Sequence, residues 1–237
     1  MAGHSKWANI QHRKKAQDNK RGKTFTKVIR EITVAAKMGG TDASSNSRLR
    51  LALSKANASN VPKDTIKRAI EKASGQNSDS YEEVTYEGYG PLGIAIIMDC
   101  LTDNKNRTVS EIRHMLTKHG GSLGTNGSVS HLFRRIGIIK VLNITEDNLL
   151  DYMEEFDIED FETIESHCMI FIKPTELFNA KKFFESKSLE VVDEEIIMDP
   201  LTMIDLSDED QDKVIDLSNK IEELDDVQNI YMNVNLS

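Results

Sequence analysis

Lys6, Arg13, Lys20 and Lys27 recur at intervals of seven residues. That spacing holds four cationic side chains on one face of a helix. Lys14 and Arg21 flank the stripe, and Lys15 and Lys23 widen it. Between Lys6 and Lys23 there are seven basic residues against one acid, Asp18. The chemistry such a surface can do is phosphate neutralisation, in which each contact releases condensed counterions without regard to base sequence. One basic helical face is usually only a solvated surface, so its setting has to decide. Residues 1–75 carry 17 Lys and Arg against 5 Asp and Glu, a net of +12. Residues 76–140 carry 7 of each, and residues 141–237 carry 6 basic against 27 acidic, a net of −21. A strongly basic end on a chain of net charge −9 points to a polyanionic partner for that end and to separate domains. Gly22 interrupts the stripe, which suits a flexible basic arm that orders on its target. Trp7, the only tryptophan, lies inside the arm. It is placed either to stack on a base or to anchor the arm to the helices that follow, and the sequence leaves both open.

Other stretches carry weaker chemical signals. Asp103–Thr108 (DNKNRT) precedes a helix, so Lys105 and Arg107 could supplement the anion-attracting amides of a helix N-terminus. The competing and favoured reading is turn and capping chemistry by Asp103, Asn104, Asn106 and Thr108. GGSLGTNGSVS has four glycines but matches neither dinucleotide nor P-loop spacing. Asp208, Asp210 and Asp212 imitate the start of a calcium loop, yet Lys213 and Asn219 stand where its glycine and final glutamate belong. A capping box formed by Ser207 and Asp210 explains these acids better. The six histidines show no metal-ligand spacing, and no nucleophile motif occurs. Cys100 and Cys168 belong to no CxxC and read as reduced, buried thiols. The expectation is a binding protein without catalytic residues, cofactor, metal or small-molecule substrate.

The elements that would position these residues follow from periodicity. Phe25, Val28, Ile29, Ile32 and Ala36 share one helical face that ends at Gly39-Gly40. Ser47 is the expected cap of a second helix burying Leu49, Ala52, Leu53 and Ala56. Pro62 opens a third, burying Ile66, Ala69, Ile70 and Ala73. Residues 76–83 read as a linker. Strands are expected at Val84–Tyr89, Ile94–Cys100 and near Val129–Phe133, with a helix from Thr108 to His119. From Ile136 the order is strand, Thr145-capped helix, two strands, Thr175-capped helix and a last strand to Ile197. This β-α-β-β-α-β order is the ferredoxin-like unit. A leftover helix (Asp208–Leu224) and strand (Val227–Val234) complete the earlier ββαβ.

The expected fold class is therefore α+β and multidomain. A basic helical nucleic-acid-binding domain spans 1–75, and a discontinuous α+β domain spans 76–133 plus 206–237. An acidic ferredoxin-like domain, 134–205, is inserted in it, and the two α+β parts are α/β-sandwich-like. At 38% hydrophobic and 29% charged the composition is ordinary globular material. No run approaches a membrane span and the first residues lack a signal-peptide apolar stretch, so a cytoplasmic protein is expected.

Six segments carry a resemblance: MAGHSKWANIQHRK, NSRLRLALSKANASNVPKDTIKRAIEKASG, YEGYGPLG, LTDNKNRTVSEIRH, LGTNGSVSHLF and DDVQNIYMN. In order and over nearly the whole chain, they resemble the YebC/PmpR family. The resemblance implies three domains, one helical and two α/β, with neither catalytic residues nor cofactor. It implies a probable DNA-binding transcriptional regulator, with double-stranded DNA as partner. The alternative it carries is a translational activator or ribosome-associated factor acting on ribosomal RNA, as mitochondrial and some bacterial relatives are described. Lys6, Arg13, Lys14 and Lys15 fall inside the matching N-terminal motif and carry the binding role over, while Trp7, Lys20, Arg21, Lys23 and Lys27 rest on position and charge alone. Two positions depart from the family pattern: Leu92 replaces a glycine of YEGYGPGG, and His131 stands where an aromatic usually follows GSVS.

Overall fold

The computed structural model of the chain describes residues 21–73, 81–152, 156–164 and 167–236, with the side chains of 21–24, 146 and 164 left out of account. They form two compact units. One comprises 135–199. The other comprises the residues up to 134 together with 200–236.

The larger unit begins with three helices: α1 (Arg21–Gly39), α2 (Ser47–Ala58) and α3 (Lys63–Ala73). Val28, Ile32 and Ala36 of α1 meet Leu49, Ala52 and Ala56 of α2 and Ile66, Ala69 and Ala73 of α3 in one core. The abundant alanines let the helices approach closely. Phe25, Ile29, Leu53 and Ile70 cover its edge, half-buried. The cap of α2 is Asn46, not Ser47 as the sequence suggested. Asn46 Oδ1 accepts from the Leu49 amide at 3.0 Å, while its Nδ2 donates to the carbonyls of Ala35 at 2.7 Å and Gly40 at 2.8 Å. One buried amide thus closes the end of α1 and the start of α2, which a serine hydroxyl is too short to do. A Cβ on Gly39 would stand 2.7 Å from that amide, so the glycine is required by the close approach.

A four-stranded sheet follows in the same unit. β1 (Glu82–Tyr89) and β2 (Ala95–Thr102) pair antiparallel over their full length. After α4 (Lys105–Lys118) comes β3, only Ser122–Leu123, which pairs with Gly88 and Tyr89. The unit closes with α7 (Asp208–Glu222) and β8 (Val227–Met232), giving the order β3-β1-β2-β8. Ile96, Met98 and Cys100 of β2 pack against Ile112 and Leu116 of α4 and Val214, Leu217 and Ile221 of α7. The strand expected near Val129–Phe133 is not there. Ser130–Leu132 is a short 3-10 turn, because the amides of Gly127, Val129 and Ser130 donate to the Glu87 carboxylate and are not available to a ladder. Helix α4 starts three residues before the expected Thr108, capped by Asn104.

The 135–199 unit contains β4 (Phe133–Leu142, which enters it at 135), α5 (Glu146–Tyr152), β5 (Ile158–Ile164), β6 (His167–Ile172), α6 (Leu177–Ser186) and β7 (Val191–Pro200). The sheet order β5-β6-β4-β7 with antiparallel β4–β6 and β5–β6 pairs is the ferredoxin-like arrangement. Thr145 Oγ1 accepts from the Asn148 amide at 3.2 Å and caps α5. Thr175 caps nothing: α6 begins at Leu177 after Glu176, without a side-chain cap. Tyr152, Phe156, Phe183 and Phe184 form edge-on and tilted aromatic contacts at 5.0–6.4 Å between centroids. Lys181 is paired with the buried Glu194 at 2.5 Å.

A sheet whose strands all pair within 135–199 and which carries its own two helices has what it needs to fold alone. The excised fragment 134–200 is expected to unfold cooperatively and to give a dispersed amide NMR spectrum. A collapsed amide region would contradict the closure of this unit.

Candidate nucleic-acid interface

Of the basic residues singled out in the sequence, Lys6, Trp7, Arg13, Lys14, Lys15 and Lys20 lie outside the described residues. Arg21 and Lys23 fall in the first turn of α1. Lys27 is half-buried, and its Nζ donates to the Glu222 carbonyl at the end of α7 at 2.7 Å. An ammonium at a helix C-terminus meets both an unsatisfied carbonyl and the negative end of the helix dipole. The last residue of the heptad stripe therefore helps seat α1 on α7.

Three residues on, Arg30 does the same more strongly. Its Nη1 reaches the Leu101 carbonyl at 3.0 Å, the Asp225 carbonyl at 2.8 Å and Asp226 Oδ1 at 3.0 Å. Its guanidinium also lies over the Tyr81 ring, 4.8 Å from the centroid. Asp226 is 2% exposed. Its second oxygen accepts from Arg107 Nη2 and Thr108 Oγ1, both at 2.7 Å, and from Thr102 Oγ1 at 3.1 Å. Burial pushes the Asp226 carboxyl up, but the hydrogen bonds from Arg107, Thr108 and Thr102 outweigh it and hold the group below its ordinary value. Arg48 adds a half-buried bridge from α2, pairing with Glu31 at 2.7 Å and with Glu83 of β1. The basic helices are thus joined to the sheet by a cation–carboxylate junction.

Lys105 and Arg107 belong to that junction and its rim. Lys105 pairs with Glu82 at 2.5 Å, and Arg107 with Asp103 at 2.8 Å as well as Asp226. The Arg107 amide is capped by Asn104 Oδ1 at 3.1 Å. The loop before α4 is built by capping chemistry, with both cations in intramolecular pairs.

Sequence reasoning missed a second buried carboxylate. Glu87 is 4% exposed, and its oxygens accept from the amides of Gly127 (2.8 Å), Val129 (2.7 Å) and Ser130 (2.8 Å). Burial raises its pKa, but the backbone bonds from Val129, Gly127 and Ser130 prevail and lower it overall. The bonds weld the 124–130 loop to the end of β1. There the exposed Tyr89 donates its hydroxyl to the Ser128 carbonyl at 3.0 Å. Beside it, Leu92 holds φ 62° and is 57% exposed. A left-handed backbone costs a branched residue about 1–2 kcal/mol. The sequence signals at this site were the glycine-rich composition on both sides of it and Leu92 standing where the family pattern has a glycine.

Cys100 and Cys168 are buried free thiols, and burial pushes Cys100 up, further from its thiolate. Among the described residues no cluster of His, Cys, Asp or Glu could hold a metal, and no helix is long and apolar enough to cross a membrane.

Comparison with known proteins covers the whole arrangement. Residues 5–76 match the family described as TACO1/YebC protein N-terminal domain, and residues 81–234 match TACO1/YebC second and third domain. Proteins named "probable transcriptional regulatory protein" from Francisella philomiragia and Nitrosococcus oceani are each 49% identical, over all of this chain and 97% of theirs. One from Pseudomonas putida is 48% identical over the same shares. A conserved hypothetical protein of Aquifex aeolicus, solved by crystallography, superposes with a TM-score of 0.81 at 41% identity. The match covers 92% of this chain and 91% of that one.

Asp226 and Glu87 both have folded pKa values below their unfolded ones. The stability they contribute is complete above the ordinary carboxylate range near pH 4 and is lost as pH falls through the lowered values. Asp226→Asn is expected to cost about 2–4 kcal/mol at pH 7, since it leaves Arg30 without its buried counter-charge. Urea unfolding should show the gap between wild type and Asp226→Asn narrowing as pH falls below the ordinary carboxylate range, because the unfolded carboxylate protonates before the native one, whose pKa is lowered. A gap that is the same at pH 7 and pH 3 would contradict this assignment.

Proposed function

The chain belongs to the TACO1/YebC family, and from that premise we propose that it is a transcriptional regulator that binds DNA through its basic N-terminal segment. The observation that carries this reading is the charge division: +12 within residues 1–75 of a chain whose net charge is −9. The names of the relatives support regulation of transcription as the setting, and they denote regulators, not enzymes. Asp226 and Glu87 support the same view, because each holds segments of the chain together.

The labour is divided along the chain. Residues 1–75 supply phosphate contacts through Lys6, Arg13, Lys14, Lys15, Lys20, Arg21 and Lys23. The discontinuous α+β domain, 76–133 plus 206–237, anchors them through Arg30 and Lys27. The acidic 134–205 segment repels polyanions by its charge and is left to protein partners in the cytoplasm. Contacts of this kind position a protein but carry no sequence information, so binding is governed by charge and shape.

The Arg13/Lys14/Lys15→Glu variant tests the reading by fluorescence anisotropy on duplex DNA across a salt series. Wild type should lose affinity steeply with salt, and the variant should bind weakly with a slope shallower by about 0.9 for each phosphate contact removed. Equal affinity and equal slope in the two proteins would overturn it.

A further inference from the structure

The welded tip formed by Tyr89, Leu92 and the 124–130 loop has no part in the phosphate chemistry described above. Residues 88–93 and 121–130 contain no charged side chain at all, in a chain that is 29% charged. Yet the tip is held rigidly. Gly124 donates its amide to the Glu87 carbonyl at 2.8 Å, and the Glu87 carboxylate takes three further amides of the loop. A Cβ at Gly121 would lie 2.3 Å from the Tyr89 carbonyl oxygen, so the two turns touch backbone to backbone there, and one at Gly124 would lie 2.3 Å from Ser128 Oγ within the loop itself. A charge buried to fix an exposed loop, and a leucine kept in a glycine's conformation while largely in solvent, are features the core does not require. Strain held in this way clusters at ligand contacts.

We propose that Tyr89 and Leu92 are a base-contacting tip, which engages unstacked nucleobases while the basic segment holds the phosphates. The proposal deepens the nucleic-acid reading and rests on it. The Tyr89 hydroxyl is fixed on Ser128, which leaves the ring oriented at the surface, and an aromatic face at the surface stacks on any base. Leu92 beside it is the kind of apolar side chain that enters an opened base step. The surrounding glycines and uncharged residues allow the backbone to come close to a base without burying a charge. Two exposed side chains offer far less than the roughly 800 Å² per partner that a stable protein interface needs. They match the size of one or two bases.

The test uses the full chain and two DNA probes with equal numbers of phosphates: a fully paired duplex, and a hairpin with a single-stranded loop of thymines. Tyr89→Ala/Leu92→Gly should bind the hairpin about tenfold more weakly, the loss expected when base stacking is removed, and the duplex as wild type does. The salt slope should not change, because no phosphate contact has been touched. Two single variants separate binding from folding. Leu92→Gly relaxes the left-handed backbone, so its melting temperature should not fall even though hairpin affinity does. Tyr89→Phe keeps the ring face and should retain most of the hairpin affinity. Unchanged hairpin affinity in the double variant overturns this proposal alone, as does an equal loss on both probes. Failure of wild type to bind either probe overturns the nucleic-acid reading and this proposal with it.

Discussion

The Asp226 carboxylate is the point on which the larger unit depends. It sits just before β8, and its own carbonyl accepts the Leu101 amide at 2.8 Å, so the backbone there is already committed to the sheet. Its two oxygens then collect Arg30 from α1, Thr102 from the end of β2, and Arg107 and Thr108 from the start of α4. These residues are separated by as many as 196 positions in sequence. A buried charge is costly unless paired and hydrogen-bonded, and here four side chains donate to it. Arg30 is the member that links the basic helices to this centre. Without the carboxylate, those helices would keep their own alanine-rich core but lose a main charged tie to the sheet.

Glu87 solves a similar problem differently. Its partners are backbone amides, not cations, so it holds a loop in shape without adding positive charge to the surface. The result is a neutral, glycine-rich projection on a protein otherwise rich in charge. Asp226 makes a joint between secondary-structure elements, whereas Glu87 makes a fixed surface. The distinction follows from the donors: arginines reach across elements, and consecutive amides exist only where the chain is free of a ladder.

Much of this was legible in the residues. The helical faces of α1 to α3 follow from apolar spacing, and Val28, Ile32, Leu49, Ala52, Ile66 and Ala69 are buried as that spacing requires. The β-α-β-β-α-β order of the acidic unit was equally readable, because each element has its own period. Both carboxylates escaped notice for one reason: an acid in a strand or turn reads as a solvent position unless its long-range partners are known. The same cause displaced the local boundaries. Thr108 resembles a helix start, but its hydroxyl is drawn to Asp226, and Asn104 caps instead. Ser47 resembles a cap, but only the longer Asn46 reaches Ala35 and Gly40. Val129 resembles a strand residue, but Glu87 takes its amide.

Charge order along the chain bears on how such a protein meets a polyanion. The 135–199 unit holds 17 acidic against 6 basic residues, so it is repelled by any phosphate backbone. At physiological ionic strength that repulsion reaches about 8 Å, the screening length, and so acts only near contact. A molecule of net charge −9 is then not steered by its total charge at a distance. On the proposed reading, approaches to a polyanion led by the acidic unit are rejected on encounter and those led by the basic segment are retained. The anchoring of α1 through Lys27 and Arg30 matters for this sorting, because a basic segment tied to the sheet by two cations keeps a defined origin from which to reach. Segregation of charge therefore does more than mark the proposed binding end. On the proposed reading it favours one direction of approach, while the phosphate contacts that then form position the chain but carry no sequence information.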